Sequence, residues 1–262
     1  MILLRRYERQ DGYVPIVDTE KKDMKKIGFG LLRLGENGSY HGHTGDRETG
    51  LVLLSGTCTV EGEGFCFAEI GERQSVFGGK PYAVYLPSGT AFEVKAKDWV
   101  EVAVCTAPSD AQVEATLIAS DDVIHKSLGH SLWQRDAYFI VDARIAAKNL
   151  YIGETILAPG QWTFPPHCHD VDDPPNEVDM EEVYFFRTRP SDGFGVQMVY
   201  SDDRSLDESY IVRQDDTVIV PRGYHPAAAS PGNALYILWV MAGEKRLFLS
   251  RPEPRYAWVT NC

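Results

Sequence analysis

The sequence predicts an all-β protein built from two β-barrel domains in tandem, and three observations carry that prediction. Short runs rich in Val, Ile, Leu, Tyr and Phe recur between clusters of Gly, Pro, Asn and Asp, which is the spacing of strands and turns. Helical periodicity is scarce, and residues 141–150 are the one segment expected to form a short helix. The two halves also repeat one plan: a glycine-flanked strand, a His-x-His pair, a glutamate opening an apolar strand, and an apolar run ending in Pro-x-Gly.

In the first half the strand candidates are residues 28–34, 49–54, 81–86, 92–95 and 99–106. In the second they are 150–157, 182–187, 195–200, 210–213, 217–220 and 234–241. The repeat places a first barrel at 1–107, a connecting segment at 108–149 and a second barrel at 150–262. A chain of 262 residues buries roughly three-quarters of its unfolded surface, ample for two cores.

Composition narrows the function. The formal net charge of −12 argues against nucleic acid, whose phosphates select basic surfaces. No apolar run approaches the roughly 20 residues of a membrane helix. The stretch Met1-Ile2-Leu3-Leu4 before Arg5 is too short for a secretory signal, so the chain is expected in the cytoplasm, as a homo-oligomer acting on a small molecule. Five scattered cysteines, Cys58, Cys66, Cys105, Cys168 and Cys262, form no CxxC pair and are expected to be reduced thiols.

Metal chemistry is written in the second half. His167-Cys-His169 follows Pro165-Pro166, which favours an extended backbone. In a strand, residues i and i+2 share a face, so both imidazoles converge on one point while Cys168 turns away. A glutamate opening the next strand and His225 after Pro221-Arg-Gly223 add two further donors. Neutral imidazoles with a carboxylate suit Zn, Fe, Mn, Ni or Cu. Alternation does not choose between Glu181 and Glu182, because Val183 and Phe185 are as apolar as Tyr184 and Phe186.

The pattern Gly160…His167-x-His169…Glu182, then Pro221-x-Gly223-x-His225, resembles the two signature motifs of the cupin superfamily. That resemblance implies a bicupin of two jelly-roll barrels. It also implies that Glu182, directly before Val-Tyr, joins His167, His169 and His225 as metal ligand. One divalent ion per chain is expected, zinc first, with iron, manganese and nickel as alternatives. One departure stands out: residues 170–181 separate His169 from Glu182, where many cupins have three or four residues. This Asp- and Pro-rich stretch is expected to form an excursion at the barrel mouth.

The first half offers His41-Gly-His43 and Glu48, but Pro87-Ser-Gly89 is followed by Thr90, Ala91 and Phe92 without a histidine. That barrel is therefore expected to be structural, with His41 and His43 in a solvated loop.

Further segments resemble the 5-deoxy-glucuronate isomerases of inositol catabolism. They are Thr44-Gly-Asp-Arg-Glu48, Leu51-Val-Leu-Leu-Ser-Gly56, Pro165-Pro-His-Cys-His-Asp170, Glu181-Glu-Val-Tyr-Phe-Phe186, Val220-Pro-Arg-Gly-Tyr-His-Pro226 and Leu238-Trp-Val-Met-Ala-Gly243. The resemblance implies an aldose–ketose conversion of 5-deoxy-D-glucuronate to 5-dehydro-2-deoxy-D-gluconate. Such chemistry builds charge on oxygen, which a divalent cation stabilises. Tyr184, two residues beyond Glu182 on the same face, is the candidate donor to a substrate oxygen. Arg222 is the candidate for the substrate carboxylate, with Arg187 second, because guanidinium forks match carboxylates. The general base stays open between Glu181 and a loop aspartate. Rival readings are a 5-keto-4-deoxyuronate isomerase of pectin breakdown, an iron cupin dioxygenase and a non-catalytic sugar-binding bicupin.

Overall fold

The structure, a computed structural model, describes residues 2–19 and 24–261. Met1 and Cys262 lie outside the described residues. Strands dominate, and among the described residues helix is confined to 3-10 segments at Ser120–Asp122, Ser131–Trp133 and Pro254–Asn261. No helix among the described residues is long and apolar enough to cross a membrane. The described cysteines Cys58, Cys66, Cys105 and Cys168 are free thiols.

The chain divides into two compact units, each discontinuous in sequence. One comprises Met1–Tyr7, His125–Tyr138 and Gly153–Cys262; the other comprises Glu8–Ile124 and Phe139–Ile152. The expected linker at 108–149 thus carries strands instead, among them Thr116–Ile118, Ile124–Leu128 and Arg135–Val141. Its apolar residues explain this: Ile118, Ala137, Phe139, Ile140 and Val141 are all buried. Arg135–Val141 and Leu150–Leu157 each run from one unit into the other.

In the unit containing Glu8–Ile124, one sheet has the order Thr116–Ile118, Ala83–Leu86, Arg47–Ser55, Val100–Pro108, Gly28–Leu34, Gly12–Val17. The second sheet runs Ser39–His43, Ala91–Ala96, Cys58–Gly62, Phe65–Ile70. Alternate residues from both sheets meet in one core, with Leu32, Leu51, Leu53, Val84, Val102 and Val104 from the first against Val60, Phe92 and Val94 from the second. That is the period-2 pattern of two sheets packed face to face. The opposite face of the first sheet is buried too, at Phe29, Leu31, Val52, Tyr85 and Ala103. These strands accordingly read as unbroken apolar runs.

The other unit has a sheet in the order Leu4–Arg5, Thr217–Val220, Glu181–Arg189, Ala234–Ala242, Leu150–Leu157, Arg135–Val141, Ile124–Leu128. A smaller sheet joins Asp207–Val212, Gly195–Tyr200 and Ala227–Ala229, and a short ladder pairs His167–Cys168 with Arg251–Pro252.

Residues 141–150 are not helical. Val141 ends one strand, Leu150 opens the next, and a turn lies between. The competing interaction is a carboxylate: Glu48 accepts the backbone N–H groups of Lys148, Asn149 and Leu150 at 2.7 Å each, and the Tyr85 hydroxyl at 2.8 Å. Those bonds satisfy the N–H groups a helix would otherwise use. Glu48→Ala leaves several buried donors without partners, at about 1–3 kcal/mol each. We expect a stability loss of about 3–5 kcal/mol by urea unfolding. A loss below about 1 kcal/mol would show that water or another acceptor replaces the carboxylate.

Candidate metal centre

Three segments deliver the ligand set. In Glu181–Arg189, Glu182 lies opposite Val220 on one neighbour and Met241 on the other. Alternation then puts Glu182, Tyr184 and Phe186 on one face and Glu181, Val183, Phe185 and Arg187 on the other. His167 and Cys168 are held by pairing with Pro252 and Arg251, and the Glu253 N–H donates to the Pro166 carbonyl at 2.7 Å. His225 follows Gly223, whose φ of +87° and 2.5 Å clearance from the Tyr200 carbonyl admit no side chain.

The twelve-residue excursion closes on itself. The Met180 N–H donates to the His169 carbonyl at 2.9 Å, and the Met180 carbonyl accepts from His169 Nδ1 at 2.7 Å. This double link sets His169 beside Glu182 while residues 171–176 stay exposed. The loop carboxylates are engaged locally. Asp170 accepts the Gly223 N–H, Asp172 pairs with Lys245, Asp173 accepts from Asn176, and Glu177 pairs with Arg251 at 3.1 Å.

The donor atoms of His167, His169 and His225 lie within 4.8 Å of one another. Glu182 Oε2 stands 3.1 Å from His169 Nε2 and 2.9 Å from His225 Nε2. Two donors bonded at about 2.1 Å to one ion are about 3.0 Å apart at a right angle, so the spacing fits. The tautomers sharpen the point. His169 Nδ1 faces the Met180 carbonyl and His225 Nδ1 faces the Gly223 carbonyl at 2.8 Å. A carbonyl only accepts, so both Nδ1 atoms carry hydrogen, and in the neutral rings both Nε2 atoms present lone pairs. These lone pairs face a carboxylate, and His225 Nε2 is buried without a hydrogen-bond partner among the described residues. Acceptors gathered in this way need a cation between them, and the residues present fit a divalent metal ion.

Protons compete with a metal ion for the same position. Burial, then the neighbouring His225 and His169, push the His167 ring down to about 3. Burial alone would raise the Glu182 carboxyl, but pairing with His169 and His225 prevails and brings it to about 2. Burial opposes charge on His169 as well, yet the Glu182 carboxylate outweighs it and raises that ring above the ordinary value.

Of the other residues singled out by sequence, Tyr184 reaches the centre, its ring 5.7 Å from that of His225. Arg222 does not: it is exposed, donates to the Ser205 hydroxyl at 3.0 Å, and lines a cavity of about 210 Å³ with Asp170, Asp202 and Asp203. Its place on the outward side of the turn follows from Gly223 and His225 turning inward. Arg187 is buried and paired with Asp215 at 2.9 Å. Cys168 packs against Tyr200 and Tyr224, and burial followed by Asp170 and Glu177 pushes its thiol up to about 12. In the other unit, His41 and His43 belong to the strand Ser39–His43 and not to a loop. Both side chains are exposed while Gly42 faces inward under Phe92. Glu48 is committed to the turn described above, so these three do not converge.

Sequence reasoning missed two polar residues. Gln197 is fully buried and its amide donates to the His225 carbonyl at 2.8 Å, fixing the backbone behind that ligand. Arg135 is half-buried, and its charge acts on both His167 and Tyr184. Neither stands in a motif; for Gln197 a polar residue interrupting an apolar strand was the available signal, and Arg135, at the start of its strand, offers none.

His169→Ala or His225→Ala should remove most bound metal, and Glu182→Gln should weaken binding more than Glu181→Gln. Elemental analysis of dialysed protein decides, and the reverse order for the glutamates would reassign the ligand. Metal affinity should also fall with acid. Each ligand binds unprotonated, and metal-free His169 holds its proton above the ordinary 6.5. Chelator competition should therefore show the decline already under way above neutral-imidazole titration, and a flat profile between about pH 5 and 8 would contradict this.

Comparison with known proteins places these observations in a family. The chain matches the KduI/IolB family over residues 3–259. It is 37% identical over 252 residues to a 5-deoxy-glucuronate isomerase of Geobacillus kaustophilus, covering 95% of this chain and 91% of that protein. An IolB-like protein from Salmonella typhimurium LT2, known from its crystal structure, superposes with a TM-score of 0.96 at 34% identity, covering 99% of this chain and all (100%) of that one. Oxalate decarboxylase from Lactobacillus farciminis shares the fold at a TM-score of 0.66 and 11% identity, over 98% of this chain and 88% of that one, which agrees with a tandem cupin. The chain belongs to the KduI/IolB family.

Proposed function

We propose that this protein is a metal-dependent isomerase that converts 5-deoxy-D-glucuronate to 5-dehydro-2-deoxy-D-gluconate in inositol catabolism. The observation that carries this reading is the convergence of three imidazoles and Glu182 in a chain whose relatives are named 5-deoxy-glucuronate isomerase along nearly its whole length.

The reaction takes a proton from C2, delivers one to C1 and moves a hydroxyl proton between the two oxygens. A divalent ion held by His167, His169, Glu182 and His225 supplies Lewis-acid stabilisation of the charge that develops on those oxygens. Zinc suits a reaction without electron transfer, because it has no redox chemistry. Tyr184 contributes as a donor. Burial, and then the Glu182 charge, raise its phenol well above the ordinary value, so it keeps its proton at neutral pH and hydrogen-bonds to a substrate oxygen. Glu182 and His225 are almost wholly buried, and a water-poor site strengthens each of these interactions.

Purified, metal-loaded protein incubated with 5-deoxy-D-glucuronate under nitrogen should yield the 2-ketose by NMR, without oxygen uptake. In heavy water, solvent deuterium should enter the carbon that receives the proton. Tyr184→Phe should lower kcat by about 10²-fold with metal content unchanged. Oxygen consumption coupled to substrate loss would turn the reading to a dioxygenase. Turnover of 5-keto-4-deoxyuronate in its place would turn it to the pectin-degrading isomerases.

A further inference from the structure

The substrate of the proposed reaction is an anion, and the protein carries a formal net charge of −12. At long range the protein repels such a substrate, a repulsion that salt screens, so a local cation must receive the carboxylate. The two arginines favoured by sequence are engaged elsewhere, Arg187 with Asp215 and Arg222 with Ser205 on the outer face.

Arg135 differs from both. It opens the strand Arg135–Val141, next to Leu150–Leu157 in the sheet that also carries Glu182. Its Nη1 donates to the carbonyls of Trp133 and Phe164, each at 3.3 Å. Phe164 stands just before Pro165-Pro166-His167, so the guanidinium is tied to the segment that delivers the first ligand. No carboxylate pairs with it among the described residues. Both bonds use Nη1, which leaves Nε and Nη2, the edge of the guanidinium that grips a carboxylate through two parallel bonds. Burial lowers its pKa, with Tyr184 acting in the opposite direction, as for a cation set in the wall of the site without its own anion. A positive charge beside a metal-binding cluster is unfavourable by itself, and an arriving anion offsets that cost.

We propose that Arg135 receives the substrate's carboxylate through its Nε–Nη2 edge and so makes the enzyme selective for sugar acids over neutral sugars. The proposal rests on the isomerase reading above. It makes Arg135 a specificity determinant: the carboxylate held at one end fixes C1 and C2 at the metal ligands and Tyr184.

The experiment compares 5-deoxy-D-glucuronate with the matching neutral aldose, which carries a hydroxymethyl group at C6. The readout is the ratio of kcat/KM values within each variant, which does not depend on the folded fraction. Wild type should prefer the acid by about 30- to 100-fold. In Arg135→Gln the preference should fall to within a few-fold of parity, mainly through KM for the acid, with metal content unchanged. Arg135→Lys should restore part of it, since an ammonium keeps the charge and loses the fork. If Arg135→Gln does not yield folded protein, the Lys variant decides, because an unaltered acid preference there overturns the fork. A wild-type preference retained in Arg135→Gln defeats the anchor and leaves the isomerase reading intact. Wild-type protein inert toward 5-deoxy-D-glucuronate defeats that reading and the anchor with it.

Discussion

Two hydrogen bonds from imidazole to backbone govern this centre. His169 gives its Nδ1 hydrogen to Met180 and His225 gives its own to Gly223. Each bond fixes a ring and a tautomer, and together they turn two Nε2 lone pairs onto the Glu182 carboxylate. Much of the surrounding architecture serves these bonds. The long loop folds back so that Met180 offers its carbonyl, Gly223 adopts a left-handed conformation so that its carbonyl meets the ring two residues on, and Gln197 secures the peptide of His225 from behind.

Each half of the chain opens an apolar strand with a buried glutamate, Glu48 in one and Glu182 in the other, and the two carboxylates are satisfied by different chemistry. Backbone N–H groups and a phenol surround Glu48. Their hydrogens are fixed in place and leave no room for an ion. Imidazoles stand beside Glu182, and the Nε2 lone pairs of their neutral rings suit a metal ion. The same position in a repeated plan is a structural rivet in one half and a candidate ligand in the other. The identity of the neighbours decides which, not the burial of the acid.

Much of this was legible in the sequence. Strands whose two faces are both apolar, such as Gly28–Leu34, Leu150–Leu157 and Thr217–Val220, announce themselves as unbroken hydrophobic runs and fall where the structure has them. Ser39–His43 does not announce itself, because its inward residues are Tyr40 and a glycine that makes room for Phe92, so it resembles a turn. Residues 141–150 look helical because nothing local shows that Glu48, a hundred positions away, holds their N–H groups. At the site, the ligand types and their convergence follow from strand alternation, whereas Arg135 carries no motif. Its interest lies in having no carboxylate partner among the described residues, which only three dimensions reveal. The boundary of 1–107 was similarly out of reach, since Met1–Tyr7 and His125–Tyr138 group with Gly153–Cys262.

The ladder between His167–Cys168 and Arg251–Pro252, with the Glu177–Arg251 pair behind it, also sets an order of events during synthesis. Glu177 and Arg251 are 74 residues apart, an interval of about 4–15 s at roughly 5–20 residues per second. Through that interval the histidine strand emerges from the ribosome without the partner that aligns it. His167 is thus made early and aligned only once Arg251 and Pro252 have emerged. Until then the candidate centre of a nascent chain lacks one aligned imidazole.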